Sequence, residues 1–500
     1  MYIELRTPDE RLRGPKAVDA APVLASVLHA ARDTASTDLS RLRVVCDWIQ
    51  YKQNFREAVG LRLVEPWPLE AARVSRNGGG AEAERAAWEI AIDLRRAGEG
   101  LDENLRTVLS GAANGSARVV LEPWGPGSRS LIWGFNALYW KALSLWEQST
   151  GRGYEQALPG GESDARNVAA ARELILELFA VWDRLAARRA LPEELHVLEL
   201  GVGNGNQARV WLDEFRRLDA EMGREYYRRL HYLMGDYSPH VLELARKAVA
   251  KHGEKVSSLV LDAMRPTETL GFLRYKAFLV YISNVYDNLP TDEIARIGGH
   301  LYQVQVRAVV PRAAAEQIAA GFSGVSPDDL PDLVGRLLRL GPELLAEALA
   351  DRFAKPGDAV AFWRAMWDAV RLEERYIPLE ALDTYDVAPG VSGELLRPIA
   401  LSAGDVRMHV SNGAAASFTD TLPLLHPLGV LQCHDLFVTD ILQYTNNFRG
   451  PGKYDGSVVN WVNGPLLAAI GSRRGFDVAF QPFAHRTGAN VLTMTARSRD

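Results

Sequence analysis

The chain has little cysteine: Cys46 and Cys433 are its two, far apart in 500 residues. They form neither a disulfide framework nor a paired metal-ligand spacing, and a reducing, cytoplasmic setting is expected. Strong charge of one sign is also missing. A net charge of -6 leaves no electrostatic footprint for nucleic acid or an anionic membrane. No apolar run approaches the roughly 18 residues of a membrane span, and the charged opening stretch Met1 to Arg11 does not read as a secretory signal. The ten histidines are scattered without H-x-x-x-H spacing, so no metal site is expected.

What is present is ordinary for a soluble protein, with 47% hydrophobic and 24% charged residues. Five hundred residues exceed one compact core, and two or three domains are expected. The most informative stretch is His196 to Asn206, H-V-L-E-L-G-V-G-N-G-N. An apolar run breaks into Gly201, Gly203 and Gly205, and a helical pattern follows from Gln207. Strand, glycine turn and helix open a nucleotide-type α/β unit, because glycines let backbone turn tightly and approach a ligand. Asn206 stands where the dinucleotide fingerprint needs glycine, which disfavours an NAD-dependent oxidoreductase, and a P-loop would need G-K-[ST]. An ordinary strand-to-helix turn remains the plain alternative.

Three further strands are expected, each ending in polar residues: His231 to Gly235 before Asp236-Tyr237, Ser257 to Leu261 before Asp262-Ala263, and Lys276 to Ser283 before Asn284. Open α/β sheets bind ligands outside the carboxyl ends of their strands. A carboxylate at the second strand's end can accept hydrogen bonds from both hydroxyls of a ribose. Ser238-Pro239 suits a helix start, serine capping and proline in the first turn. The sheet is expected to resume at Gly429 to Cys433, reading out into His434-Asp435, and to close with a hairpin of Phe476 to Phe483 and Asn490 to Ala496.

The remaining chain reads as helical. Residues 1–185 carry helical apolar stripes at Arg41 to Ala58 and Ala81 to Ala97, and an aromatic-rich segment at Leu131 to Trp146. Residues 291–425 interrupt the sheet, with helical patterns at Thr291 to Val309 and Leu330 to Val370 and β-like pieces near Val406 to Ser411. Long insertions beside a carboxyl edge usually carry function. The expected division is a helical region 1–185, a ligand-binding α/β domain of 186–290 with 426–500, and the insertion 291–425. The two outer parts would serve as lid, substrate layer or homodimer surface, with Tyr154 and its neighbours a candidate lid over the ligand.

The motif E-x-G-x-G-x-G at Glu199 to Gly205 resembles the first motif of class I S-adenosylmethionine (SAM) dependent methyltransferases. Within that class the pieces look most like the MidA-like group, which includes a mitochondrial protein-arginine methyltransferase. The matching segments are Glu199 to Gly205, Asp236-Tyr237-Ser238-Pro239, Asn284 to Pro290 and Val462-Asn463-Gly464. Val285 stands where the group has Glu, and Gly464 replaces an aromatic; the arginine activity is not carried over. The resemblance implies a class I, Rossmann-like α/β fold with a seven-stranded sheet; the helical N-terminal region and the long, largely helical insertion between strands 4 and 5 are this chain's departures from it. It implies SAM as cofactor, held by Glu199, Gly201, Gly203, Asn204, Gly205, Asp236, Tyr237, Asp262, Ala263 and Asn284, with Asp262 facing the adenine.

Methyl transfer from a sulfonium is an in-line displacement that alignment accelerates, and a base is needed only for a nucleophile that must lose a proton. Tyr286, Asp287 and His434 are the candidate catalytic residues, with Asp435 beside them. Each has a plain reading: a structural histidine, and an aspartate capping the next helix. The expected function is a methyltransferase acting on a small-molecule, peptide or protein acceptor. The alternative is a non-catalytic, assembly-factor-like SAM-binding protein.

Overall fold

The computed structural model describes residues 2–6, 21–33, 42–47, 49, 51, 53–66, 87–96, 100–109, 118–151, 153, 164–446, 450–485 and 490–499. Two large sheets organise them. The first has seven strands: β1 (Leu195–Leu200), β2 (Leu230–Asp236), β3 (Val256–Val260), β4 (Ala277–Ser283), β5 (Leu425–Asp435), β6 (Phe476–Pro482) and β7 (Leu492–Ser498). Their spatial order is β3-β2-β1-β4-β5-β7-β6. β1 to β5 run parallel, and β7 is antiparallel to both neighbours.

Every residue of β1 is buried, as is most of β4, which is why both read as nearly unbroken apolar runs rather than alternating ones. One face, with Leu198, Leu200, Val280 and Ile282, packs with Phe418 and Leu467. The other, with Val197 and Phe278, packs with residues of the helices Asp164–Ala187 and Asn206–Glu221. The chain leaves β1 towards β2 on one side, while β4 lies on the other, so the order reverses between β1 and β4. A crevice forms outside the carboxyl ends at such a switch point.

The second sheet corrects the expectation of a helical N-terminal region. Its strands run Tyr2–Arg6, Leu42–Asp47, Ala87–Asp93, Val59–Val64, Arg371–Pro378, His300–Pro311, Glu293–Ile297 and Val406–His409, with Arg118–Val120 and Gly125–Pro126 also pairing to His300–Pro311. Arg41 to Ala58 holds a strand because the β-branched Val44 and Val45 lie in a segment that pairs on both sides, with Tyr2–Arg6 and Ala87–Asp93. Within Ala81 to Ala97, residues 81–86 lie outside the described part and Ala87–Asp93 is a strand, buried from Glu89 to Asp93. Helices do occur there, at Ala21–Asp33, Leu101–Leu109, Leu131–Lys141, Leu143–Thr150 and Asp164–Ala187. Aromatics of the third and fourth of these (Trp133, Phe135, Tyr139, Trp146) are core.

The largely helical insertion is corrected in part, because it also supplies strands to this sheet. Thr291 to Val309 is a β-hairpin, Glu293–Ile297 turning through Gly298-Gly299 into His300–Pro311. From Leu301 to Ala308 half-buried and buried residues alternate, the period-two signature of a strand. The helical part is Arg312–Ala320, Leu330–Leu340, Pro342–Ala348, Pro356–Ala369, Leu396–Ser402 and Asn412–Thr421. The segments before β1 and between β4 and β5 thus share one sheet and do not fold apart.

Across this sheet runs a buried chain of alternating charge. Glu4 pairs with Arg43 (2.5 Å), Arg43 with Glu89 (3.5 Å), Glu89 with Arg62 (2.6 Å) and Arg62 with Glu374 (2.6 Å). Glu374 continues to Arg407 (2.7 Å) and Arg56 (2.6 Å), and Arg407 to Glu293 (2.5 Å). Burial alone would raise the Glu374 pKa, but Arg407, Arg56 and Arg62 outweigh it and hold the carboxyl well below the ordinary range. Four arginines meet four glutamates, so charge is taken out of water only in neutralised form.

Candidate functional site

The site is built where β1 ends. Gly201, Gly203 and Gly205 have φ of 75°, 57° and 82°, the left-handed region that glycine enters without Cβ strain. Close packing adds a second reason at two of them. A Cβ on Gly201 would lie 2.3 Å from Val285 Cγ2, and one on Gly205 2.6 Å from Ala245 Cα. The turn is thus wedged between the exit of β4 and the helix Pro239–Ala248. The Gly201 and Val202 N–H groups donate to the Gly235 carbonyl at 2.8 and 3.2 Å, tying the turn to β2. Asn204 Oδ1 accepts the Asn206 N–H at 2.9 Å, closing the turn just before the helix Asn206–Glu221.

Asp236 ends β2 directly beside this turn. Its Oδ2 accepts the Gly203 N–H at 3.2 Å and its Oδ1 the Ser238 N–H at 3.0 Å. Burial pushes its pKa up, and the backbone N–H groups of Ser238, Gly203 and Tyr237 offset part of that rise. Ser238 caps the next helix by accepting the Val241 N–H, with Pro239 in the first turn. The Tyr237 ring carries Lys141 Nζ 4.9 Å from its centroid, which brings the N-terminal helix Leu131–Lys141 over the edge. Asp262 follows β3, half-buried, its Oδ1 accepting the Met264 N–H at 2.9 Å, with Ala263 half-buried beside it. Asn284, exposed at the end of β4, has φ 50° and donates its N–H to the His434 carbonyl at 2.9 Å. A left-handed non-glycine at a strand end is a strain worth about 1 kcal/mol that packing must over-determine.

Several expected residues lie elsewhere. Glu199 is 2% exposed within β1, and its Oε2 accepts the Tyr232 hydroxyl at 2.6 Å, bracing β1 to β2 beneath the turn. Tyr286 is 1% exposed in the apolar core, because the turn after β4 points it inward. His434 is also buried: its Nδ1 lies 2.9 Å from Thr493 Oγ1 and its ring 4.6 Å from Phe483. Burial, with His485 adding, lowers its pKa to about 4, so it is neutral and held as a structural group. The candidate lid at Tyr154 lies outside the described residues.

Asp287 is brought into the site region, though not as a free base. It is buried, its pKa driven well up by burial and then by the Asp435 charge. Asp435, at the end of β5, accepts N–H groups from Val285 (3.1 Å), Tyr286 (2.8 Å) and Asp287 (3.4 Å) on Oδ2 and from Leu436 (2.7 Å) on Oδ1. Those donors favour the charged form on Asp435, so the proton rests on Asp287. The pair clamps the turn that holds Val285 against Gly201.

Two residues the sequence reading did not single out complete the clamp. Asn136, in the N-terminal helix, donates Nδ2–H to the Asn288 carbonyl at 2.8 Å and accepts the Val458 N–H at 2.9 Å. Asn460 donates its backbone and side-chain N–H groups to the Asp287 carbonyl at 2.9 and 2.8 Å. Their partners are 152, 322 and 173 residues away, so no local pattern marks them.

No family model matches the sequence, and no curated protein matches it. Solved structures do resemble it in shape. A COG1565 superfamily protein from Burkholderia thailandensis is 13% identical, with a TM-score of 0.42 over 80% of this chain and 91% of its own. A second from that organism, bound to S-adenosylhomocysteine, is 14% identical, with a TM-score of 0.43 over 80% and 92%. The CcbJ methyltransferase of Streptomyces caelestis is 11% identical, with a TM-score of 0.30 over 73% and 99%. At these identities the likenesses are distant, and the residues of this chain define its site.

Proposed function

We propose that the chain is a SAM-dependent methyltransferase, a remote relative of the MidA-like group, acting on a small-molecule or peptide acceptor beneath the second sheet and its helices. One observation carries the reading: the left-handed turn Gly201–Gly205 and the Asp236 carboxylate are hydrogen-bonded together at the switch point of a sheet that ends in a hairpin, β7 inserted beside β5. The residues present fit the cofactor chemically. Asp236 would accept ribose hydroxyls, Asp262 would face the adenine amine, and the glycine turn admits close approach to backbone N–H groups. When bound, the cofactor supplies a methyl group on a sulfonium.

The chain's own residues would align the acceptor and keep water out, with Asn284 and Tyr237 at the rim and the Asp287–Asp435 clamp fixing the β4 exit. With Tyr286, Asp287 and His434 buried, the arrangement favours an acceptor atom that needs no protein base. The same burial favours the second reading, a non-catalytic SAM-binding protein of the assembly-factor kind. Calorimetric titration with SAM and S-adenosylhomocysteine tests the premise of both: absence of heat and of thermal stabilisation would sink them together. Asp236→Ala is expected to weaken binding by about 1.5–3 kcal/mol through lost charge-assisted hydrogen bonds, and unchanged affinity would show the acid is misassigned. Turnover of labelled SAM with candidate acceptors separates enzyme from binder.

A further inference from the structure

A cavity of about 270 Å³ opens on the second sheet, between the N-terminal strands and the insertion strands. None of its lining residues belongs to the seven-stranded sheet. Its lining holds as many arginines as carboxylates, so placement decides what it can bind. At the inner end Arg56 and Arg62 are both paired with Glu374. On the wall, Glu373 accepts from Arg118 and Arg307, each at 2.6 Å. Arg375 is different. Its Nε and Nη2 donate to the neutral Gln305 Oε1 at 3.1 and 2.7 Å, and the carboxylate that faces it, Glu65, stands 3.8 Å off, beyond a hydrogen bond. Its guanidinium lies 4.8 Å from the Trp124 ring centroid, and Arg307 lies 4.6 Å from it, so the cation is held in place by an aromatic face.

Register places an apolar track beside this cation. Arg375 pairs with Leu63, and Leu63 with Trp88, so the three side chains stand in one row across three adjacent strands. Directly paired residues project to the same side of a sheet. Leu63 is half-buried, and Trp88 is 41% exposed, one of the large apolar side chains the fold leaves open. Two inter-strand steps of about 4.8 Å make the row roughly 10 Å long. The acids Asp47 and Asp93 lie at the opposite end, paired with each other in register and away from Arg375.

We propose that this cavity is a binding site for a monocarboxylate with an apolar body about 10 Å long, its head on Arg375 and its body along Leu63 and Trp88. The head gains a charge-assisted, fork-shaped partner, and the body covers apolar surface that the protein leaves wet. Because the row joins Ala87–Asp93 and Val59–Val64 to Arg371–Pro378, occupation would also tie the N-terminal strands to the insertion.

The test is calorimetric titration of the full chain with octanoate, with butyrate as a head without the body and octanamide as the body without the charge. Saturable one-to-one binding of octanoate is expected, at least tenfold tighter than either control. Arg375→Gln should weaken octanoate at least tenfold without changing the unfolding temperature, and Trp88→Ala, at an exposed position, should weaken it severalfold even if the arginine variant folds poorly. Non-saturable heat, octanamide binding as tightly as octanoate, or affinity unchanged in both variants would overturn the proposal. The result is independent of the SAM titration, since the two sites share no residue.

Discussion

The two sheets solve burial in opposite ways. In the seven-stranded sheet the central strands β1 and β4 are buried on both faces and polar groups gather at the carboxyl ends, where Asp236, Asp262, Asn284 and Asp435 stand. In the second sheet charge runs from Glu4 to Glu293, half-buried at Glu4 and Arg43 and buried from Glu89 onward. An apolar strand specifies that it is buried but not its partner. A buried ion pair specifies the partner, because any other pairing leaves a charge unmatched in low dielectric. The second sheet joins segments far apart in the chain, and its N-terminal half meets the insertion through the parallel pairing of Leu63 and Val64 with Arg375 and Tyr376. We read the charges as the device that selects this junction. In the glycine-turn sheet β1, β2 and β3 need no such device, since they follow one another by short β–α–β steps, while β4 and β5 pair across the insertion through apolar strands.

The contrast can be broken most sharply at Glu374, which three arginines share. Glu374→Ala is expected to destabilise by about 3–5 kcal/mol, the cost of leaving buried cations short of a partner. Urea unfolding measures it, and a loss under about 1 kcal/mol would mean that the ladder is solvated and selects nothing. Asp435→Ala comes next: four backbone N–H groups lose their acceptor, at about 1 kcal/mol each net, and hydrogen exchange at residues 285–287 should rise with it. Gly201→Ala should cost about 1–3 kcal/mol from the left-handed φ alone and, by pushing Val285 away, should loosen SAM binding more than it lowers the unfolding temperature. The smallest effect is a slope with pH. Folded, Asp287 keeps its proton, whereas in the unfolded chain it loses it near about 4. Stability from this group is therefore full below that value and fades as pH rises above it towards the raised folded value. Asp287→Asn, which can still donate to Asp435, should flatten that slope in pH-dependent denaturation, and an unaltered slope would place the proton elsewhere.

Much of the carboxyl edge was legible in the sequence. The glycine turn, Asp236 beside it, the Ser238-Pro239 helix start and the closing hairpin carry local signatures: left-handed residues, a cap, period changes. What misled was periodicity in short windows. Leu42–Asp47 and Ala87–Asp93 hold so few polar residues that a helical stripe and a two-sided strand look alike. The alternation in His300–Pro311 was present and was overridden by the helical patterns after it. Asn136 and Asn460 could not have been read, because each is defined only by the backbone it meets.

By itself, then, the sequence determined the sheet that bears the turn, for each strand end there is set by its own few residues. Only the tertiary structure decided which side chains the edge exposes. It turned Glu199, Tyr286 and His434 inward, since a strand's alternation and the turn after β4 set their direction and burial neutralised them. It also decided that the regions before β1 and after β4 are one sheet. That pairing rests on charges hundreds of residues apart, which gain nothing until the chain has brought them together.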